Sequence, residues 1–393
     1  MIVGTSNEKS ESCTMKIEEF TLERIQSLYE NVVPLNLSDS GVHPMSIREL
    51  LGPADIEELL DLELGYGWTN GEVSLRTTIA GLYNDKGPDD VIVTNGSAEA
   101  NFLLVMSLLN PGDEIAVFTP NYLQIVGWAR ALGVDVKTVR HDEAADWSAD
   151  IDALRKVVTP KTRLITICNP NNPTGATLSI DAMQALVEIA RDNDAYLHAD
   201  EVYKGSELAG EEGPSIANLY EKAIATNGLS KAMALPGLRI GWLAGPAQDI
   251  YSAWQSKDYT SITTSAVSEY VAERVLQPKL RRKVLDRSKE ILRDNLALLT
   301  DWVNANAEFV SFVPPKAGGM AFIRYNRDMN STELAHALRT DQGVLVLPGD
   351  VYGLDGYFRV GIGAPRHHLE SGLEKIGEYL NSSEFRDLAT RAA

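Results

Sequence analysis

From about residue 50 to residue 244 short apolar runs alternate with helix-length amphipathic stretches, and this rhythm leaves the chain few folds to choose from. The strand-like runs fall at 91–94, 114–119, 134–139, 164–168, 196–199, 223–227 and 239–244. Segments at 56–61, 72–83, 98–109, 123–131, 151–158 and 180–193 carry apolar residues at helical spacing. Strand-then-helix alternation predicts an α/β fold, a doubly wound and mostly parallel sheet, here of seven strands. Such sheets take their ligands at the carboxyl ends of the strands. The residues that follow each apolar run are therefore the first candidates for chemistry.

At 393 residues the chain is long for one compact core, so a smaller second unit is expected beside the sheet. The pattern suggests a disordered lead at 1–15, an N-terminal segment at 16–50 that packs with the small domain, a large domain at 51–270, and a linking helix with a small α+β domain at 271–393. Within the N-terminal segment, 17–29 is near helical spacing, whereas 35–44 is polar and turn-rich between Pro34 and Pro44. That turn-rich piece reads as a connector or as a substrate-facing loop. Periodicity is poor around 259–265; a long helical stretch then runs from 266 to about 305, with a break expected at Pro278. Its basic run, 279–293, reads as a solvated helix face. Further strands are expected at 309–313, 321–325, 344–346 and 358–362, and helices at 331–340 and 368–379.

The residues after the strands form a chemical series. Lys231 sits among small and apolar neighbours, and Arg239 follows eight positions later between Leu238 and Ile240. A partly buried lysine has a lowered pKa and a nucleophilic amine, and an arginine fork suits a phosphate. The pair suggests pyridoxal 5′-phosphate (PLP), although a solvated loop lysine and a surface arginine would leave the same trace. Gly96, Ser97 and Ala98 open a helix after a strand, where free N–H groups can bind phosphate or simply need a cap. Tyr122 can lie against a cofactor ring or fill a core. Asn172 lies in the proline-rich turn 169–175 and can donate to a phenolate oxygen. Asp200 ends a buried strand and needs a cation, for which a pyridinium nitrogen would serve, unless it caps the next helix. Tyr203 lies three positions on, within reach of the same ring.

Composition narrows the partners. A net charge of −19 argues against nucleic acid and anionic membranes. Cys13 and Cys168 are too far apart in sequence to suggest a disulfide framework, which fits a cytoplasmic protein, and no apolar run reaches membrane-spanning length. His43, His367 and His368 lack metal-ligand spacing, so no metal is expected.

Taken together these positions resemble the class I/II aminotransferases, fold-type I PLP enzymes. The matching positions are Tyr66 with Gly71 and Leu75-Arg76, Asn95-Gly96-Ser97, Thr119 to Tyr122, Asn169 to Gly175, Asp200 to Tyr203, Ser230-Lys231, Arg239 to Trp242 and Phe358 to Val360, in family order. The resemblance implies an enzyme that acts on an α-amino acid through an external aldimine and Cα deprotonation. It implies Lys231 as Schiff-base lysine and proton shuttle, Asp200 as pyridinium partner, Asn172 and Tyr203 at the ring O3′, and Tyr122 stacked on the ring. Ser97, Ala98, Ser230 and Arg239 would cradle the phosphate, and Tyr66 would reach the phosphate of a neighbouring subunit in a homodimer with shared sites. Arg359 would grip the substrate α-carboxylate, with the backbone of Gly41. Two positions depart from the family: Gly228 and Ala98 stand where relatives often carry hydroxyls. The stretch Ser38-Asp39-Ser40-Gly41-Val42-His43 resembles that of capreomycidine synthases, relatives that cyclise a hydroxylated arginine. Transamination and β- or γ-elimination or cyclisation of a guanidino or other functionalised amino acid are thus both implied.

Overall fold

The computed structural model describes residues 15–391. Cys13 and all but the last residue of the expected disordered lead lie outside the described residues. The first helix, Thr21–Tyr29, is followed by β1 (Leu35–Asn36), which pairs in parallel with residues 344–345. The turn-rich piece after β1 is no free connector. Gly361 N donates to the Leu37 carbonyl at 2.7 Å and His43 N to that of Gly363 at 2.8 Å, so this segment lies along the second sheet.

The large sheet contains β2 (Val91–Asn95), β3 (Glu114–Thr119), β4 (Asp135–Asp142), β5 (Ser148–Ala149), β6 (Thr162–Cys168), β7 (Tyr196–Asp200), β8 (Ala223–Gly228) and β9 (Ile240–Ala244). Their order is β2-β9-β8-β7-β6-β3-β4-β5. The seven expected strands are all present. The eighth, β5, is a two-residue edge strand antiparallel to β4, too short to leave a periodic signal. The core strands are buried on both faces, which is why they read as nearly continuous apolar runs. Side chains alternate between two apolar layers: Ile92 and Leu243 pack with helices Ser97–Leu108 and Ala247–Lys257, whereas Val91, Val93 and Trp242 face helices Val73–Ala80 and Ala266–Val275.

Strand direction sets the site. Strands β3, β6, β7 and β8 pair in parallel, and β9 alone of the central strands is reversed, antiparallel to β2 and β8. The turns that follow β2, β3, β6, β7 and β8 therefore open on the same edge as the turn that precedes β9. Arg239, just before β9, comes to the same rim as Lys231, just after β8.

Helix Ala247–Lys257 went unseen in the sequence because its inner face carries a lysine. Lys257 is fully buried and donates to the Thr69 carbonyl at 2.6 Å. The long helical stretch is broken where Pro278 requires it, into Ala266–Val275 and Pro278–Ala305. The second sheet, β10 (Val310–Phe312), β11 (Met320–Tyr325), β13 (Leu347–Pro348) and β14 (Tyr357–Gly361), packs on the longer helix and on Arg366–Leu380, while β12 (Val344–Leu345) is the partner of β1. Among the described residues no helix is long and apolar enough to cross a membrane.

The basic run on Pro278–Ala305 is not simply solvated. Arg281 donates to both oxygens of Glu212 at 2.8 and 2.7 Å, Arg287 to the His43 carbonyl, and Arg293 to that of Leu208. Sequence distance concealed these partners. Arg281→Gln is expected to cost ~1–3 kcal/mol, as for a lost hydrogen-bonded charge pair, whereas Lys283→Gln on the exposed side should stay within about 0.5 kcal/mol of wild type. Urea denaturation of the two variants checks the contrast; equal midpoints would refute it.

Candidate active site

The turns on that edge line one cavity. Asp200 lines it, buried at the end of β7. Its Oδ1 accepts from the Val202 N–H at 3.2 Å and its Oδ2 from Asn101 Nδ2 at 3.1 Å. Among the described residues no cation lies within ion-pair distance of it, and burial pushes its carboxyl above the usual range. Among the described residues no helix starts directly after Asp200, and the next helical turn, Ile216–Asn218, is capped by Ser215, so Asp200 is not a helix cap.

Lys231 faces the same cavity, but the sequence expectation of a lysine without charged neighbours needs correction. Its Nζ lies 3.3 Å from Asp39 Oδ1, a carboxylate that arrives from 192 positions earlier. The ammonium holds Asp39 below the usual carboxylate range, and the Gly41 N–H donates to the same oxygen at 2.9 Å. Gly41 is thereby placed beside the lysine. Glu30 stands near Asp39 and Glu23; burial and the charges of those two carboxylates raise its pKa.

Ser97 and Ala98 line the cavity at the start of helix Ser97–Leu108, after Gly96. Arg239 adjoins them, with Nη1 3.5 Å from Ser230 Oγ and 3.2 Å from the Pro236 carbonyl. A Cβ on Gly241 would lie 2.3 Å from Ser97 N, so only glycine lets β9 pass this close to the helix start. Crowding also accounts for Gly228: a Cβ there would lie 2.9 Å from the Ile240 carbonyl oxygen.

Tyr122, Asn172, Tyr203 and Arg359 complete the wall. Tyr122 Oη donates to Glu23 Oε1 at 2.7 Å, which brings helix Thr21–Tyr29 over the cavity. Tyr203 Oη donates to Ser40 Oγ at 2.8 Å. Arg359 is 1% exposed; its Nη1 donates to Asn172 Oδ1 at 2.8 Å and its Nη2 to the Ser38 carbonyl, while Nε has no partner. No carboxylate among the described residues lies within ion-pair distance of it. Asp39 pairs with Lys231, and Asp350 accepts from Thr332.

One candidate stands apart. Tyr66 is 89% exposed and lines a separate groove with Glu63, Thr264 and Tyr270, outside the cavity of its own chain. Four residues that sequence reasoning passed over belong to the site: Glu23, Asp39, Asn101 and Gln124. Asp39 alone had a signal, as the one charge in the stretch 38–43.

Residues 58–376 match the family model for aminotransferase class I and II, and the chain belongs to that family, the PLP-dependent enzymes of fold type I. It is 30% identical over 354 residues to capreomycidine synthase from Streptomyces vinaceus, covering 88% of this chain and 90% of that protein. A PLP-dependent aminotransferase from Streptococcus suis 89-1591 superposes with a TM-score of 0.88 at 32% identity, covering 96% of this chain and all of that one. The PLP-dependent cyclase OrfR gives 0.85 at 28% identity, over 93% and 97% of the two chains.

The family's cofactor is PLP, and the cavity fits it. Asp200 is a buried carboxylate in want of a cation, Lys231 supplies an amine, and a helix start beside an arginine supplies anion donors. Because Gly228 is crowded, Gly228→Ser should not add a phosphate contact. It should lower stability by ~1–3 kcal/mol through overpacking and weaken PLP binding. Thermal denaturation and PLP titration check this; tighter binding would show that the strand can give way.

Proposed function

We propose that this protein is a PLP-dependent aminotransferase that removes the Cα proton of an α-amino acid. One observation carries the reading. A single cavity holds Lys231, a buried carboxylate that lacks a cation, and a buried arginine that lacks a carboxylate. A pyridinium ring and an α-carboxylate are the complements of those two charges. Bound PLP supplies the electron sink that stabilises negative charge at Cα. Lys231 holds the cofactor and, once displaced, carries the Cα proton on Nζ. Asp200 partners the ring nitrogen, Tyr122 covers the ring, and Asn172 and Tyr203 serve its phenolic oxygen. Gly96, Ser97, Ala98, Ser230 and Arg239 hold the phosphate. Arg359 and Asn172 grip the carboxylate beside Gly41 and so keep the Cα–H bond aligned with the ring.

A homodimer with shared sites belongs to the same reading. Tyr66 stands on the surface among exposed Leu60, Leu64 and Trp68, an apolar patch that supports contact with a second copy, whose phosphate Tyr66 would reach.

A second reading, a lyase or cyclase for a guanidino or other functionalised amino acid, is favoured by the acidic side of the site. Glu23, Glu30 and Asp39 cluster beside Lys231. A cationic substrate side chain would offset them where a neutral one would not. The likeness to capreomycidine synthase and OrfR supports the same direction.

Four measurements test these readings. Borohydride should fix the cofactor on Lys231, and peptide mapping to another residue would end the assignment. In half-reactions a true aminotransferase converts its cofactor to pyridoxamine phosphate; a lyase or cyclase consumes substrate and keeps the aldehyde form. Arginine against its neutral isostere citrulline reads the acidic wall, and equal rates would dismiss it. Arg359→Lys keeps the charge but loses the fork; it should lower kcat/KM for α-amino acids by about 10- to 1,000-fold, as for a charge-assisted bidentate contact. PLP affinity should be nearly unchanged. Equal losses on an amino acid and on its decarboxylated amine would remove the carboxylate role.

Mixing Tyr66→Phe and Lys231→Ala chains should restore some activity through hybrid dimers. A fully active monomer in sedimentation would exclude shared sites.

A further inference from the structure

We propose that Asn101 is a positioning residue that fixes the Asp200 carboxylate toward the cofactor ring, an inference that rests on the reading of Asp200 given above. Asn101 lies on helix Ser97–Leu108, one turn beyond Ser97, and is 2% exposed. Its Nδ2 donates to Asp200 Oδ2 at 3.1 Å and to Gln124 Oε1 at 3.2 Å. Gln124 Nε2 donates in turn to the Ala98 carbonyl at 3.2 Å.

The direction of this chain is forced from its far end. A backbone carbonyl only accepts, so Gln124 turns its amino group to Ala98 and its oxygen to Asn101. Asn101 must then present its own amino group, and both N–H bonds are used, one on Gln124 and one on Asp200. Its Oδ1 is left buried without a partner. A flipped amide would set oxygen against two acceptors, so the orphaned oxygen is the consequence of aiming both donors where they are needed.

For Asp200 the result is one fixed donor on each oxygen, Asn101 on Oδ2 and the Val202 N–H on Oδ1. The carboxylate plane is set, and each oxygen keeps a free lone pair. Burial works against its ionised form, and the Asn101 hydrogen bond is the foremost influence opposing burial. The relay also links the two ends of the site. Ala98 lines the phosphate end and Asp200 the ring-nitrogen end, and the same helix carries Ala98 and Asn101.

The test uses full-length Asn101→Leu and Gln124→Met, each titrated with PLP and with the analogue in which a CH group replaces the ring nitrogen. Asn101→Leu should weaken PLP binding by about 10- to 100-fold, as for one hydrogen bond to a charged group. Affinity for the analogue should fall by less than about threefold, because no nitrogen is there for Asp200 to meet. Gln124→Met, on a less buried residue, frees Asn101 to flip and should weaken PLP binding in the same sense by a smaller factor. Equal weakening for PLP and the analogue means that Asn101 is only structural, and unchanged PLP binding in Asn101→Leu also overturns the role. Should Asn101→Leu fail to fold, Gln124→Met decides: unchanged or nitrogen-independent binding overturns the proposal. Wild-type protein that binds no PLP at all would instead bring down the cofactor reading, a distinct result.

Discussion

A carboxylate at the end of a strand buried on both faces is the constraint around which this molecule is arranged. Asp200 has no cation of its own among the described residues, and burial opposes its charge. Leaving such a group unpaired costs several kcal/mol, of order 3–5 when a buried pair is broken. The fold tolerates it because donors reach it from two directions, the turn after β7 and helix Ser97–Leu108. The remaining positive charge has to come from a ligand. Asp200 and Arg359 are thus two halves of one arrangement, each supplied with hydrogen bonds and each without its counter-charge.

Topology places the other parts. Because β9 runs against its neighbours, the residue before it reaches the rim shared by the residues after β2, β6, β7 and β8. Arg239 and Lys231 are eight positions apart in sequence, yet they take up different ends of the site because a strand reversal lies between them. Close passage at that reversal leaves no room for side chains. This is why Gly228 and Gly241 stand there.

Local chemistry made most of this legible in the sequence. Strands buried on both faces betray themselves as apolar runs, and the polar residues that terminate them stand out. Lys231, Asp200, Asn172, Tyr203, Tyr122 and Ser97 stand out that way, Arg359 enters through the family resemblance, and all seven line one cavity. What stayed hidden depends on contacts between distant segments. Asp39 reaches Lys231 across 192 positions, and Glu23 reaches Tyr122 across 99. Asn101 looks like one more residue of an apolar helix until its amide is seen to meet Asp200. Helix Ala247–Lys257 was obscured by a lysine on its inner face, and the Arg281 partner by the intervening fold. Tyr66 is exposed and lines a different groove, so its place in the single chain does not point to the cavity.

On the proposed reading the contacts hidden from sequence would also bear on which reaction follows Cα deprotonation. On the proposed reading Lys231, Asp200 and Arg359 would serve Cα deprotonation whatever comes next, so these residues do not separate a transaminase from a cyclase. The segment from Thr21 to Gly41 can. It brings Glu23 onto Tyr122, Ser40 onto Tyr203, the Ser38 carbonyl onto Arg359 and Asp39 onto Lys231. Each is a contact to a group proposed above to meet the ring or the substrate. Asp39 pairs with the lysine, and burial together with the charges of Asp39 and Glu23 raises the pKa of Glu30. On the proposed reading a Lys231 engaged with the cofactor would leave Asp39 short of counter-charge, which a substrate bearing a distal cation would restore. On that reading substrate choice would reside in the strip of chain laid over the sheet edge rather than in the sheet itself.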